Sequence, residues 1–422
     1  MSASGSQPSR GTIGAWVLYD VAAHGYMLMI PAVGYAIYFT SFIAAAHPLV
    51  DGLWSLAVAL PLIAAGLISP WLGAVVDSHG HRRTWLAAAT IACGLATALM
   101  VTLKQGDIAS GIALFAVAQL ASLLAGALYN AYLPQISTPE NSARVSGIGW
   151  GLSYLGGIAC FLLCLPFIRG GIVPGNESHF AQAFLVTAVF LLVVGLAAIS
   201  RFPREIRVDR APQEVPLGGN TRIVRPYRQI WATICNWRNE REIPKFLLAY
   251  YLLNDAMVTV IFFAAIFFKT TFGLSVQQVL MYSLAFQLIA IPATVFFGWL
   301  GDHWSQRGAL NVTLLIWAVV LALMGWADGE YAPLAIVIVL GLVLGSTQSL
   351  CRSMFSRMIP TDRTAEYFGF HALAGRASSA LGPLLFGAVS AVAGSQRMAM
   401  VSLGVFLVAG GILMSRVRLI DR

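Results

Sequence analysis

The sequence predicts an all-α membrane protein: twelve transmembrane helices in two six-helix bundles, related by a pseudo-twofold along the membrane normal. Three observations carry this. Of 422 residues, 58% are hydrophobic and only 10% charged, against roughly 25% charged in a soluble domain. Apolar runs recur along the whole length, each near the roughly 20 residues a bilayer core requires. One motif also returns half a chain later. Gly73-x-x-x-Asp77-x-x-Gly80-x-Arg82-Arg83 closes one apolar run, and Gly298-x-x-x-Asp302-x-x-x-x-Arg307 closes another. Such a repeat is the trace of an internal duplication.

The expected spans are 14–42, 52–76, 84–103, 108–129, 146–168, 180–200, 245–268, 277–300, 309–326, 332–351, 368–393 and 397–415. The first is too long for a signal-peptide core and lacks a small-residue cleavage site, so it is expected to stay as an uncleaved span. Charge then orients the loops. Of 26 Lys and Arg, only Lys104, Arg169, Lys269 and Arg397 fall in odd-numbered loops, and Arg376 falls inside a span. The rest lie at the termini or in even loops, a positive-inside bias that puts both ends in the cytoplasm. Topology thus accounts for the net charge of +8 without nucleic acid, and a bacterial inner membrane is the expected location. Five cysteines give no disulfide framework; Cys160 and Cys164, one turn apart in a span, read as ordinary lipid-facing or packed thiols.

Residues 201–244 form the longest polar segment, with nine arginines, five acids and five prolines. It is expected to be a cytoplasmic connector between an N-terminal bundle (1–200) and a C-terminal bundle (245–422). Arg225 to Arg241, with Trp231 and Trp237, forms either an interfacial amphipathic helix or a plain loop. Other landmarks recur in order. Tyr19-Asp20 matches Asn254-Asp255, Leu133-Pro134 matches Ile359-Pro360, and Gly147 matches Gly369.

With both ends on one side and six helices per half, the repeats run parallel, as in the major facilitator superfamily. Within it, the chain resembles the vacuolar amino-acid effluxer, autophagy-associated branch. Trp16-Val-Leu-Tyr19-Asp20, Tyr129-Asn130-Ala-Tyr-Leu-Pro134, Arg144-Val-Ser-Gly147-Ile-Gly149-Trp150 and Gln348-Ser-Leu-Cys-Arg352-Ser353 carry the likeness. So do Ala365-Glu366-Tyr-Phe368-Gly369-Phe370 and Leu381-Gly382-Pro383. Where that family usually reads Trp-Ala-Asn-Ser after the aspartate, this chain has Val21-Ala22-Ala23-His24, and Ser78 replaces the usual basic residue of the loop motif. The resemblance implies secondary active transport of a small, amino-acid-like solute by alternating access. A drug, siderophore-like chelate or lysolipid is the alternative cargo, and a transporter-derived receptor the alternative role.

An ionisable group within a span costs roughly 2.5–3.5 kcal/mol to insert, so it faces a cavity or a partner. Asp20 and Asp255 lie in the first helix of each repeat. A carboxylate in a partly dry cavity can exchange a proton or pair with a cationic group; a merely hydrogen-bonded structural acid is the competing reading. His24 follows Asp20 by four residues and could relay protons with it, or could simply be packed. Arg376, near His371 in the eleventh span, must keep its charge, so it either grips a solute carboxylate or pairs with Asp20 or Asp255. Asn130, Trp150, Tyr154, Tyr251, Asn254, Gln287 and Gln348 are candidates for orienting a solute, or for interhelical hydrogen bonds.

At the cytoplasmic rim, Asp77, Arg82, Arg83, Asp302 and Arg307 are expected to form interdomain pairs that open and close, with Gly73 and Gly298 permitting close helix approach. The glycines of the fifth span, Gly147 to Gly157, read as small-residue packing rather than a phosphate loop, since no lysine follows. H-E-x-x-H, G-x-S-x-G and nucleotide fingerprints do not occur, so neither enzyme chemistry nor a cofactor or metal is expected. The expected partners are a small-molecule substrate, a coupling proton and the bilayer, with the protein a monomer.

Overall fold

The computed structural model describes residues 10–79, 81–130, 132, 136, 142–202, 242–358, 371 and 381–418. Its regular structure among these residues is entirely helical. The spans are α1 (Gly11–Ile43), α2 (Val50–His79), α3 (Arg82–Leu99), α4 (Ile108–Asn130), α5 (Ser142–Ile168), α6 (Glu177–Ser200), α7 (Glu242–Phe272), α8 (Val276–His303), α9 (Gln306–Trp326), α10 (Ala332–Met358), α11 (Leu381–Ala393) and α12 (Gln396–Ser415). Eleven of these are long and apolar enough to cross a membrane, and the described part of α11 is a shorter apolar helix. The connector 201–244 beyond Phe202, Arg376, and the side chains of Asp77, Asp302 and Gly147 lie outside the described residues, as do Leu133-Pro134, Ile359-Pro360, Gly369 and the surroundings of Gly73.

Most spans extend a few residues past their expected ends, because polar residues there cap the helix. Ser275 accepts from Gln278 N at 3.2 Å while Gln278 Oε1 accepts from Ser275 N at 2.9 Å, a reciprocal cap on α8. Ser305 and Ser395 likewise accept from Gly308 N and Met398 N, quenching orphan donors where α9 and α12 begin. The largest extension is at the end of α10. It reaches Met358 rather than 351, and so brings Arg352 inside the span.

The first span is not one straight helix. Pro31 sits in a π-helical turn, Leu28–Ala32, because proline has no N–H to donate and its ring crowds the preceding turn. Val33 leaves helical geometry at φ −136° and ψ −70° before the helix resumes at Gly34. A Cβ at Gly34 would collide with the Met29 carbonyl oxygen, so glycine is what lets the chain double back so closely.

Packing repeats between the halves. In the first, α1 packs on α5 and α6, α2 on α4, α3 on α4 and α6, and α5 on α6. In the second, α7 packs on α11 and α12, α8 on α10, α9 on α10 and α12, and α11 on α12. Each pairing has its equivalent six spans later, as a pseudo-twofold demands. Across the interface α2 meets α11, α5 meets α8, and the broken part of α1 meets α7. Burial ranks the spans accordingly: α1 is 78% buried, α7 72% and α10 61%, against 28–44% for the others. These three form the centre, while Leu67, Val295 and Leu315 of outer spans stay well exposed and match acyl chains.

Candidate functional site

Three layers of contact join the halves. The first lies on the rim opposite the chain termini, where α2 begins and α7 and α11 end. Asp51 carboxylate oxygens accept from Ser390 Oγ at 2.5 Å and from Gln396 Nε2 at 2.8 and 2.9 Å. Thr270 donates to Gln396 Oε1, and Lys269 of α7 donates to Ser41 of α1. Deeper in, Trp54 Nε1 donates to the Phe262 carbonyl at 3.2 Å. Gly387 of α11 faces Ser55 of α2 so closely that a Cβ would meet its hydroxyl. A cavity of about 480 Å3 lined by Asp51, Ser390, Gln396 and Arg397 opens on this rim.

In the second layer α5 meets α8 and α10. His24 stacks edge-on against Tyr154 with ring centroids 4.8 Å apart, and its Nδ1 lies 3.5 Å from Ser153 Oγ. Gly157 makes room for both His24 and Gln287; a Cβ there would sit 3.1 Å from His24 Cδ2 and collide with Gln287 Oε1. Gly345 of α10 similarly admits the Tyr154 hydroxyl, 3.0 Å from where a Cβ would stand. Tyr154 Oη and Gln287 Oε1 are nonetheless buried with no hydrogen-bond partner.

The third layer lies nearer the termini and contains the charges. Trp16 and Tyr129 stack at 4.5 Å and 9°, with Trp16 Nε1 donating to the Tyr129 carbonyl at 3.3 Å. Tyr19 packs at 5.1 Å on the same Tyr129 ring and exchanges a 3.1 Å hydrogen bond with Thr90. Tyr19 and Tyr129 wall a cavity of about 50 Å3 beside Asp20, which Cys93 and Ser122 complete. That is space for water rather than a solute. Across the interface, Arg352 of α10 lies 5.4 Å over the Trp150 ring and within electrostatic reach of Asp20, Tyr129 and Tyr250. Tyr250 stacks on His371 at 4.1 Å, and His371 also meets Phe355 at 4.9 Å.

Several expectations therefore change. His24 shares a helical face with Asp20, and its described partners, Tyr154, Ser153 and the neighbouring Gln287, are on α5 and α8. Asn130 is the exposed last residue of α4 and stands outside the cluster. Arg376 lies outside the described residues; Arg352, which the longer α10 brings inside the span, is within electrostatic reach of Asp20. An arginine four residues after Gln348 was the available signal, since the two share a helical face.

Trp150 and Tyr154 do share a face, with centroids 6.5 Å apart. Asn254 is buried and accepts from Tyr250 Oη at 3.5 Å. Asp255 is completely buried, one turn from half-buried Tyr251, and neither of its oxygens has a hydrogen-bond partner. Gln348 is half-buried.

At the rim, the glycine contact differs from expectation. A Cβ at Gly298 would meet nothing within 4 Å, whereas one at Gly301 would stand 2.8 Å from Leu350 Cδ2; close approach on α8 belongs to Gly301. Arg83 donates to the Ser200 carbonyl at 2.7 Å and Arg307 to the Val417 carbonyl, while Arg82 lies 5.4 Å over Tyr132. These partners sit in each arginine's own half. In these described contacts Arg83 and Arg307 tie helix ends within a bundle, where the carbonyls left open as α6 and α12 end accept.

Duplicated bundles meeting around a buried polar seam define a polytopic membrane transporter of the major facilitator fold. The nucleoside transporter NupG matches with a TM-score of 0.71 at 13% identity, covering 96% of this chain and 99% of that one. A D-xylose–proton symporter matches with 0.70 at 14% identity, covering 97% of each; at such identities the likeness concerns the fold. The family model for vacuole effluxer Atg22-like proteins matches residues 50–420, and the chain belongs to that family. It is 22% identical over 410 residues to the uncharacterised MFS-type transporter YxiO of Bacillus subtilis (strain 168), covering 95% of this chain and 93% of that protein. It is 26% identical over 296 residues to autophagy-related protein 22-2 of Aspergillus clavatus, over 63% of this chain and 46% of that one. The chain thus spans about half the length of the fungal relatives it matches.

Proposed function

We propose that this protein is a secondary transporter that moves a small polar solute by alternating access, with residues 1–200 and 245–422 as the two rocking bodies and the charged seam between them as the binding region. The observation that carries this is the seam itself. Tyr129 Oη, Tyr154 Oη, Gln287 Oε1 and both oxygens of Asp255 are buried without hydrogen-bond partners. Each such group costs roughly 1–3 kcal/mol, a cost that a polar solute or a proton arriving at the seam offsets. The rim opposite the termini is the closed one, and the basic residues favour the terminal side as cytoplasmic.

An amino-acid-like solute is the favoured cargo, supported by family membership. Proton coupling through Asp20 or Asp255 follows from two acids held in the most buried spans. The test is uptake into proteoliposomes of a radiolabelled neutral amino acid mixture, with and without an imposed pH gradient. Gradient-stimulated accumulation that disappears in both Asp20→Asn and Asp255→Asn is expected. Accumulation that ignores the gradient, or persists in both variants, removes the coupling role.

A further inference from the structure

We infer that the small cavity beside Asp20 binds a monovalent metal cation of sodium's size, at a site inside the first bundle and apart from the seam between the halves. Its use in coupling rests on the transporter reading; the binding itself does not. The walls of this cavity come from α1, α3, α4 and α6, so it belongs to residues 1–200 alone. It offers about 50 Å3, room for one or two guests the size of water, whose share of liquid volume is roughly 30 Å3. An amino acid or a sugar does not fit there. A small bare cation does.

Oxygen-bearing side chains line the space. Asp20 contributes a carboxylate, and Tyr19, Thr90, Ser122 and Tyr129 carry hydroxyls. Tyr19 Oη and Thr90 Oγ1 stand 3.1 Å apart. Thr90 gives its proton to the Leu86 carbonyl at 2.8 Å, so Tyr19 is the donor in their bond and keeps its own lone pairs free. Tyr129 is only 5% exposed, and its Oη has no hydrogen-bond partner; the rings of Trp16 and Tyr19 hold it in place. The described ion pairs, Lys245–Glu242 and Arg397–Asp328, leave Asp20 without a salt bridge, a costly state for a charge within a span. Water satisfies the hydroxyls but leaves the charge. A proton removes the charge but leaves Tyr129 Oη unsatisfied. A cation does both. Carboxylate and hydroxyl oxygens suit a hard ion, and one carboxylate balances a single charge, whereas calcium draws on roughly six to eight oxygens. The ion rests on α1, the most buried span at 78%, whose broken part packs on α7. Occupancy therefore bears on the helix that joins the halves.

The inference is tested on the full chain in detergent, unfolded thermally in sodium, potassium and choline chloride at one pH and one ionic strength. A ligand that prefers the folded state raises the apparent melting temperature. Sodium is expected to raise it saturably, potassium less, and choline, too large for the space, not at all. Ser122→Ala is expected to raise the half-saturating sodium concentration by at least about tenfold, the usual cost of disturbing a metal site. Ser122→Thr keeps the hydroxyl and is expected to keep the response, which controls for folding. Asp20→Asn is expected to lose it. Equal melting temperatures in the three salts overturn the inference. So does an unchanged half-saturation in Ser122→Ala, or a sodium response that survives in Asp20→Asn. Proteoliposomes separate this failure from failure of the transporter reading. A sodium-specific shift without flux of any solute keeps the site and sinks the transporter reading, whereas solute flux with no sodium-specific shift sinks the site and leaves that reading standing.

Discussion

Asp255 concentrates the energetic problem of the whole site in one side chain. It is completely buried on α7, and neither oxygen is hydrogen-bonded. An isolated carboxylate in such surroundings is stable only when it carries a proton or meets a cation. Gly382 of α11 presses against it; a Cβ there would stand 3.1 Å from Oδ1 and collide with Thr259 Oγ1. Asp255→Asn keeps the shape and removes the ionisable group, so the melting temperature is expected to hold or rise. Gradient-driven uptake is expected to fall by about tenfold or more, a loss of ~1.4 kcal/mol in driving a step, while solute exchange without a gradient survives. Comparing exchange with accumulation in the same liposomes checks this. At this scale the sequence already exposed Asp20 and Asp255, because charge in an apolar run stands out by itself. Arg352 was hidden by an error of a few residues in one helix end, and the partners of His24 by side-chain packing that no spacing rule encodes.

Helix α5 shows how elements are held close enough for the seam to exist. Three of its glycines meet neighbours directly. Gly149 faces Trp16, with a Cβ 3.1 Å from Cη2; Gly156 lies against the Val21 backbone; Gly157 lies against Gln287. The reading of this stretch as small-residue packing holds at these three, while Gly151 faces open space. Gly156→Ala is therefore expected to force α1 and α5 apart and lower stability by about 1–3 kcal/mol, the usual cost of overpacking. Gly151→Ala is expected to be neutral or slightly stabilising, since alanine is the better helix former by about 1 kcal/mol. Thermal unfolding of the two variants side by side measures the contrast.

For the whole molecule, the rim opposite the termini is where the two halves are latched. Asp51, Ser390, Gln396 and Thr270 form one chain of hydrogen bonds from α2 to α11, α12 and α7, and Lys269 reaches Ser41 beside it. Alternating access requires this rim to part. A Ser41→Cys, Lys269→Cys pair is expected to abolish flux when oxidised and to regain it on reduction, as measured by uptake before and after a thiol reductant. Asp51→Ala is expected to loosen the latch. Labelling of Ser55→Cys, 2% exposed against α11, by a membrane-impermeant maleimide then rises severalfold. The described native cysteines are all buried, and Cys235, outside the described residues, is replaced by serine in that experiment.

Composition, charge bias and the repeated rim motif determined by themselves that this chain spans a membrane twelve times as a doubled unit. Those properties follow from transfer of side chains between water and lipid, which depends on local sequence and little else. Which side chains meet across the interface was decided only in three dimensions. The Pro31 break in α1, the reach of α10 to Met358, the glycine contacts of α5 and the turn of His24 toward Ser153 all depend on how one helix fits against another. Close packing is a property of pairs of surfaces, and a single strand of letters carries one surface at a time.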